Sequence, residues 1–556
     1  MKRSVNPING QWLAFSALFI LSCASTTAQV DSVPLITIDS GRVAGAHFGS
    51  SAQEVMFLGI PYAAPPTGSR RWKPPSPVEE WQGVYNADAF APSCPQPVGS
   101  VREAAEQAVE FRQTLRYYKE FRTDEDCLYL NIWTTNLAGK QSVPVMVWIH
   151  GGGGFSGSSW IPPFGPALAR KGVVLLSVEF RIGALGHLAH PALTAESPHH
   201  ASGNYGTLDQ IAALQWIQRN ILSFGGDPRN VTIFGGSDGG TKTCVLMASP
   251  LARGLFHRAI LESGQCTDFL SPELKKSIRY DGSVQAGTAE DSGLQLTHDL
   301  KITDGPNVLA ELRSKTADEI IQASQSLDAY TNPTVDRWVL PEQPAFTFRE
   351  GRQALVPVIV GSTDDEMAAL YHPPADPSTV AAYKAWLKQN RFFTYADDIF
   401  RLYPAATDAE VPDKFMALET DDMGHGAYFF ARDTVRAGQK AYLYYFTYPS
   451  KGKMAGRGAV HGAEVKFISG VFRTSSWGQP NDEDRKLADT MIEYWTRFAA
   501  SGDPNGPGQP KWPAYDPKAD LCLEIGHEVR PRPVAHTDKY KVIENSFRTR
   551  LAALDP

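Results

Sequence analysis

Apolar runs of seven or eight residues recur along the chain, with longer polar and amphipathic stretches between them. VPVMVWIH (143–150), VVLLSVEF (173–180), NVTIFGG (230–236), RAILESG (258–264), VPVIVGS (356–362) and AYLYYFTY (441–448) are rich in Val, Ile and aromatic residues. They are apolar throughout rather than alternating, the pattern of strands buried on both faces. Between two of them, LDQIAALQWIQRNI (208–221) places apolar residues at helical spacing, and Gly225-Gly226-Asp227-Pro228 ends it. Gly240–Met247 can run as a second helix. Strands of this kind separated by helices predict an α/β fold with a mostly parallel sheet covered on both sides, and such sheets bind ligands at the carboxyl ends of their strands. Residues 267–350 and 371–435 are less regular and richer in helix formers, and are expected as insertions that cap the sheet. No internal repeat and no Gly/Ser- or Pro-rich linker divides the chain.

The first residues follow another pattern. Lys2 and Arg3 precede a ten-residue apolar stretch, Trp12–Leu21, and small residues stand at Thr26 and Ala28. This reads as a secretory signal peptide over 1–28, leaving 29–556 as a single domain that is secreted or periplasmic. A second reading takes Ile20-Leu21-Ser22-Cys23 as a lipoprotein cleavage box with Cys23 lipid-anchored, although Leu21 fits that box poorly. No other segment approaches 18 apolar residues, so no membrane span is expected. Five of the six cysteines lie beyond the leader, and export permits disulfides among them, with at least one free thiol or an intermolecular bridge. Of 556 residues 42% are hydrophobic and 20% charged, which excludes global disorder. The net charge of -7, with basic residues dispersed, gives no sign of a nucleic-acid partner.

Gly235-Gly236-Ser237-Asp238-Gly239 fits G-x-S-x-G, and its context makes the short pattern specific. A strand enters it and a helix can leave it. A sharp turn there forces the Ser into a strained backbone, needs small neighbours, and lifts the hydroxyl into the cleft. Ahead of it, His150-Gly151-Gly152-Gly153-Gly154 follows a strand, so the amides of Gly152 and Gly153, with that of Asp238, can form an oxyanion hole. A rival exists: Gly152-x-Gly154-x-x-Gly157 with Glu179 downstream outlines a dinucleotide fingerprint. The motif should open a helix, however, and Ser158-Ser159-Trp160-Ile161-Pro162-Pro163 breaks one at once.

A Ser nucleophile needs a base and an orienting carboxylate. His461 lies in a small-residue loop after AYLYYFTY, and in the order Ser, acid, His the base comes last. Asp364, Asp365 and Glu366 all follow the strand VPVIV, and the residues alone do not choose among them.

These motifs together resemble the type-B carboxylesterase and cholinesterase-like family of α/β-hydrolases. The likeness runs through nearly the whole chain: Phe57–Pro66, Glu125–Trp133, the His150 glycine run, Asn204–Gln210, Ser223–Pro228, Gly254–Ile260, Gly502–Asn505 and Trp512–Tyr515. It implies the α/β-hydrolase fold with helical caps around a gorge, and a carboxylic-ester hydrolase that needs no metal or cofactor and acts on a small-molecule ester. It also implies Ser237 as nucleophile, Glu366 as the acid, His461 as the base, and Gly152, Gly153 and Asp238 as oxyanion donors. Cys94 and Cys127 would form the family's first disulfide. The rival is a cholinesterase-like binding or adhesion protein that has lost catalysis, but such relatives lack a triad member and all three are present here.

The chain departs from the family at Gly236 and Asp238, where Glu and Ala are usual, at Gly154, often aromatic, and at Met367, usually Gly. The Asp238 carboxylate either points into a hydrogen-bond network or disfavours anionic transition states, and Gly154 predicts a looser oxyanion loop. Between Cys94 and Cys127, Phe111–Arg122 carries Phe111, Arg112, Arg116, Tyr117, Tyr118, Lys119, Phe121 and Arg122. It reads either as a solvated helix face or as a basic, aromatic rim, to which Arg337 could add. A rim would favour carboxylate-bearing esters, such as the tricarballylate esters of fumonisin-type toxins on which bacterial members of this family act. Cys244 and Cys266 either pair or stay as buried thiols, and Cys522 is expected to be unpaired.

Overall fold

Eleven strands form one sheet, and the strands at its centre are those written as uninterrupted apolar runs. In chain order they are β1 (Ala46–His47), β2 (Val55–Pro61), β3 (Tyr129–Thr134), β4 (Val143–Ile149), β5 (Val174–Val178), β6 (Gly226–Gly236), β7 (Arg258–Glu262), β8 (Val358–Thr363), β9 (Ala441–Phe446), β10 (Leu521–Ile525) and β11 (Val529–Pro533). The spatial order is β11-β10-β9-β8-β7-β6-β4-β5-β3-β2-β1. All pairings from β5 through β4 to β10 are parallel, and the remaining ones toward either edge are antiparallel. The computed structural model describes residues 33–554 apart from 116, 119, 138, 140, 281–283, 304, 326–331, 374, 390 and 391. The leader at 1–28, with Cys23, lies outside the described residues.

Alternate residues of one strand enter opposite cores. Val145, Val147 and Ile149 of β4 join one hydrophobic cluster with Val174, Leu176, Ile233, Leu261 and Val360. Met146 and Trp148 join the other with Leu175, Phe234, Ile260, Ile359 and Tyr442. Both faces are therefore dry. Each fully buried aliphatic side chain contributes about 1.5–3 kcal/mol relative to exposure, so strands of this composition are most stable where helices cover them twice.

The helices that matter for the site are α1 (Val98–Thr114), α2 (Tyr205–Asn220), α3 (Asp238–Ala248), α4 (Val411–Arg436) and α5 (Asp482–Ser501). The second of these matches the predicted 208–221 helix, with Gly225 at φ 82° closing the short turn after it. The sequence reading placed 225–228 wholly outside the next strand. In the structure β6 begins at Gly226, which pairs with Val143 before a register shift, so one left-handed glycine suffices to end the helix. Likewise α3 begins at Asp238, two residues before the expected Gly240. From Pro34 onward the chain packs as one compact unit.

Two disulfides are present. Cys94 bridges Cys127, and Cys244 on α3 bridges Cys266 just after β7, which settles the pairing that the sequence left open. On loop length alone each stabilises by roughly 3–4 kcal/mol. Cys522 is free and buried, and burial pushes its thiol up to about 12, so it is inert at neutral pH. No helix among the described residues is long and apolar enough to cross a membrane.

Candidate active site

The turn from β6 into α3 places Ser237 at φ 58° and ψ -131°. A non-glycine residue in this region costs of order 1–3 kcal/mol and persists only where its surroundings fix it. The Ser237 N–H donates to the Glu262 carbonyl of β7 at 2.7 Å, and the N–H groups of Gly240 and Thr241 donate to the Ser237 carbonyl at 2.9 and 3.2 Å. The flanking glycines are sterically required: a Cβ at Gly239 would lie 2.1 Å from the Ile149 carbonyl oxygen. Ser237 lines a cavity of about 300 Å³ at the carboxyl ends of β4 and β6.

The glycine loop 151–154 lies against this turn. Gly152, Gly153 and Gly154 take φ values of 118°, 63° and 81°, a succession that side chains resist. A Cβ at Gly151 would be 2.5 Å from the Gly236 carbonyl oxygen and 3.2 Å from Ser237 Cβ. Asp238 is the first residue of α3, so its N–H has no carbonyl four residues back within the helix and stays available for a developing anion. Glycine at 154 does not leave the loop loose: the N–H and hydroxyl of Ser156 donate to the Gly152 carbonyl at 3.0 and 2.8 Å, and the Gly183 N–H donates to the Gly154 carbonyl at 2.7 Å. Gln96 clasps the loop from the Cys94 side, donating to the Gly157 carbonyl at 2.9 Å and accepting the Gly157 N–H at 3.1 Å.

Of the three carboxylates after β8, one meets His461. Glu366 is fully buried, its Oε2 lies 2.5 Å from His461 Nδ1, and its Oε1 accepts the Thr363 N–H at 2.7 Å. Asp364 accepts the Ala459 N–H at 2.6 Å, and Asp365 pairs with Arg457 through two bonds of 2.7 and 2.8 Å. Burial disfavours a charged imidazole, but the Glu366 carboxylate outweighs it and raises the His461 pKa above its ordinary value, with Glu464 adding to the effect. Among the described residues no hydrogen bond joins the Ser237 hydroxyl to the His461 ring, and such contacts are often long before substrate binds.

Two more carboxyls lie beneath the site. Glu464 accepts from the hydroxyls of Ser263 at 3.1 Å and Tyr444 at 3.2 Å, and Glu262 accepts from Trp495 Nε1 at 2.7 Å. Burial, with Glu464 adding, pushes Glu262 up to about 8, so it is mostly protonated at pH 7. Glu179 is not free for a nucleotide ribose. It is buried and accepts from the hydroxyls of Ser93, Ser158 and Ser159 and the Ser159 N–H, all between 2.7 and 3.0 Å, so the fingerprint reading fails on the burial of its acid as well as on its missing helix.

The Phe111–Arg122 segment does not form an aromatic rim. Phe111, Tyr118 and Phe121 are buried in the core, and the Arg112 side chain donates to the Tyr118 carbonyl at 2.9 Å. Arg116 and Lys119 lie outside the described residues. Arg337 pairs with Glu273 at 2.9 Å in a separate groove. It is the other end of the disulfide loop that faces the cavity, through Ser100, Glu103 and Gln107 of α1, and Glu103 is the charged side chain in the lining.

The Asp238 carboxylate is met one turn along α3 by Lys242 Nζ at 2.5 Å. Sequence reasoning passed over Lys242 because lysine is ordinarily a surface residue, and the signal that could have found it is the i, i+4 spacing of acid and base.

The carboxylesterase family profile matches residues 32–544. The fumonisin B1 esterase of Sphingopyxis macrogoltabida is 34% identical over 540 residues, covering 93% of this chain and 91% of that protein. Liver carboxylesterase 1 of Oryctolagus cuniculus is 32% identical over 568 residues, covering 98% and 97%. Among solved structures, a PNB esterase superposes with a TM-score of 0.77 at 28% identity, covering 92% of this chain and 99% of its own.

Proposed function

The chain belongs to the carboxylesterase family and is a carboxylic-ester hydrolase of the α/β-hydrolase fold, and on that footing we propose that it is an exported serine esterase working through Ser237, His461 and Glu366. The observation that carries this reading is the 2.5 Å contact between His461 Nδ1 and the buried Glu366 carboxylate, set beside a serine held in a strained strand-to-helix turn.

His461 takes the Ser237 proton as the hydroxyl oxygen attacks the ester carbonyl. The carbonyl π electrons move to oxygen, and the amides of Gly152, Gly153 and Asp238 stabilise that anion. Glu366 fixes the ring tautomer and stabilises the imidazolium. The tetrahedral intermediate collapses, the C–O bond to the alcohol breaks, and His461 returns its proton to the departing oxygen. Water then attacks the acyl-serine by the same route, releasing the acid and restoring the hydroxyl. Export is supported by the two disulfides.

For substrate we propose bulky carboxylate-bearing esters, with the tricarballylate esters of fumonisin-type toxins as the class to try first. Support comes from the similar fumonisin B1 esterase. Initial rates on a tricarballylate ester and on a neutral ester of the same alcohol, at low salt so that charge effects are unscreened, test this. At least tenfold higher kcat/KM for the tricarballylate is expected. Equal values overturn the substrate assignment while leaving the esterase.

A further inference from the structure

Asp238 sits one residue after Ser237, so it brings a negative charge to the place where ester hydrolysis builds another. Lys242 is its counterpart. The Lys242 side chain is 1% exposed and that of Asp238 11%, their charged atoms are 2.5 Å apart, and Asp238 is the one hydrogen-bond and ion-pair partner of Lys242 among the described residues. Aromatic rings also lie near the ammonium. The Phe180 ring centroid is 5.9 Å from Nζ. His150 and His187 are held far below the imidazole range, first by burial and with Lys242 contributing, so both are uncharged at pH 7. Such a pair is poor evidence of stability, because desolvation consumes much of its attraction and an apolar side chain of similar volume does as well. What the pair does change is the field at the start of α3, where the Asp238 N–H has no acceptor within the helix.

We propose that Lys242 is a positioning residue for ester hydrolysis: it draws the Asp238 carboxylate back along α3 and cancels its charge, leaving the Asp238 amide to receive the oxyanion in a near-neutral field. The assignment rests on Ser237 being the nucleophile. The Asp at position 238, which departs from the family pattern, is thereby tolerated because of a lysine one helical turn away.

The test compares Lys242→Gln, Asp238→Asn and the double variant with the parent enzyme. Lys242→Gln keeps a hydrogen-bond donor and removes the charge. With a neutral p-nitrophenyl ester its kcat falls about 10- to 100-fold while KM stays within about threefold, as expected when an uncompensated charge opposes only the anionic transition state. Affinity for a trifluoromethyl ketone, which forms an anionic hemiketal on the serine, weakens in parallel. The double variant, which removes both charges, recovers most of the kcat lost in Lys242→Gln. A folded Lys242→Gln with parent kcat and inhibitor affinity overturns the proposal. So does a double variant as slow as Lys242→Gln, and if Lys242→Gln does not fold, the uncharged Lys242→Met takes its place with the same two outcomes. Peptide mapping after a fluorophosphonate separates the two levels. No adduct on parent Ser237 removes the nucleophile reading itself, whereas a Ser237 adduct with three kinetically identical variants removes only the role of Lys242.

Discussion

Glu366 acts on His461 in two ways, by geometry and by charge. It accepts the Nδ1 proton, which leaves Nε2 as the basic nitrogen, and its carboxylate raises the ring's pKa against the opposing effect of burial. Glu366→Gln removes the charge and offers a donor to the same nitrogen. Its kcat should fall by about 10³–10⁴-fold, the magnitude typical of losing the orienting carboxylate. The sign of the pH effect follows from the same contact. The base works unprotonated, and a carboxylate that raises its pKa places the acid limb of kcat/KM above the ordinary histidine value. Without that charge the limb of the residual activity moves to lower pH, and a pH–rate profile that stays put contradicts the assignment. At this scale much was legible. The proposed nucleophile Ser237, the proposed base His461 and the glycines at 152 and 153 announce themselves through small residues at strand ends. Glu366 stood level with Asp364 and Asp365 until the resemblance chose it, because only the fold determines which of three adjacent carboxylates meets a histidine 95 positions later. For Lys242 the i, i+4 spacing from Asp238 was readable, but its burial was not, since a helical sequence alone does not tell a buried lysine from a solvated one.

At the scale of the element, α1 carries Ser100, Glu103 and Gln107 into the cavity wall. Its far end is tied down by Glu110, which accepts from the Ser475 hydroxyl at 2.6 Å and N–H at 3.0 Å, from Thr474 at 3.1 Å and from Arg473 at 3.3 Å. Burial alone would raise this carboxyl, but these donors outweigh it and hold its pKa down at about 2. A carboxyl lowered in the folded state contributes stability that is complete above its unfolded pKa and is lost as pH falls through the folded one. Amide exchange over 98–114 should therefore stay protected at pH 7 and lose protection between about pH 4.5 and 2. Glu110→Gln should lower protection of α1 already at pH 7 with little change elsewhere, and unchanged exchange in this helix refutes the tether. The strands of the central sheet were readable as apolar runs because both their faces are buried. By contrast, neither the solvated helix face nor the rim read from Phe111–Arg122 holds for its aromatic residues, because aromatics serve a core as readily as a ligand, and here Phe111, Tyr118 and Phe121 are core.

For the molecule as a whole, the parallel sheet brings together residues separated by more than 300 positions. Gly152 follows β4, Ser237 follows β6, Glu366 follows β8 and His461 follows β9, so the carboxyl edge of one sheet supplies every member of the site. The disulfides fix what the sheet does not: Cys94–Cys127 closes the loop bearing α1, and Cys244–Cys266 anchors α3 behind the nucleophile. The fold class was legible because strand and helix periodicities differ and the chain keeps them consistent. The depth and lining of the cavity were not, because they come from the irregular insertions between strands. The central claim is that this edge activates Ser237. It is tested most directly by peptide mass spectrometry of the purified protein after reaction with a fluorophosphonate, beside a Ser237→Ala variant. The account predicts a single adduct on Ser237 that is absent from the variant. A folded protein with no adduct, or with the adduct on another serine, contradicts it.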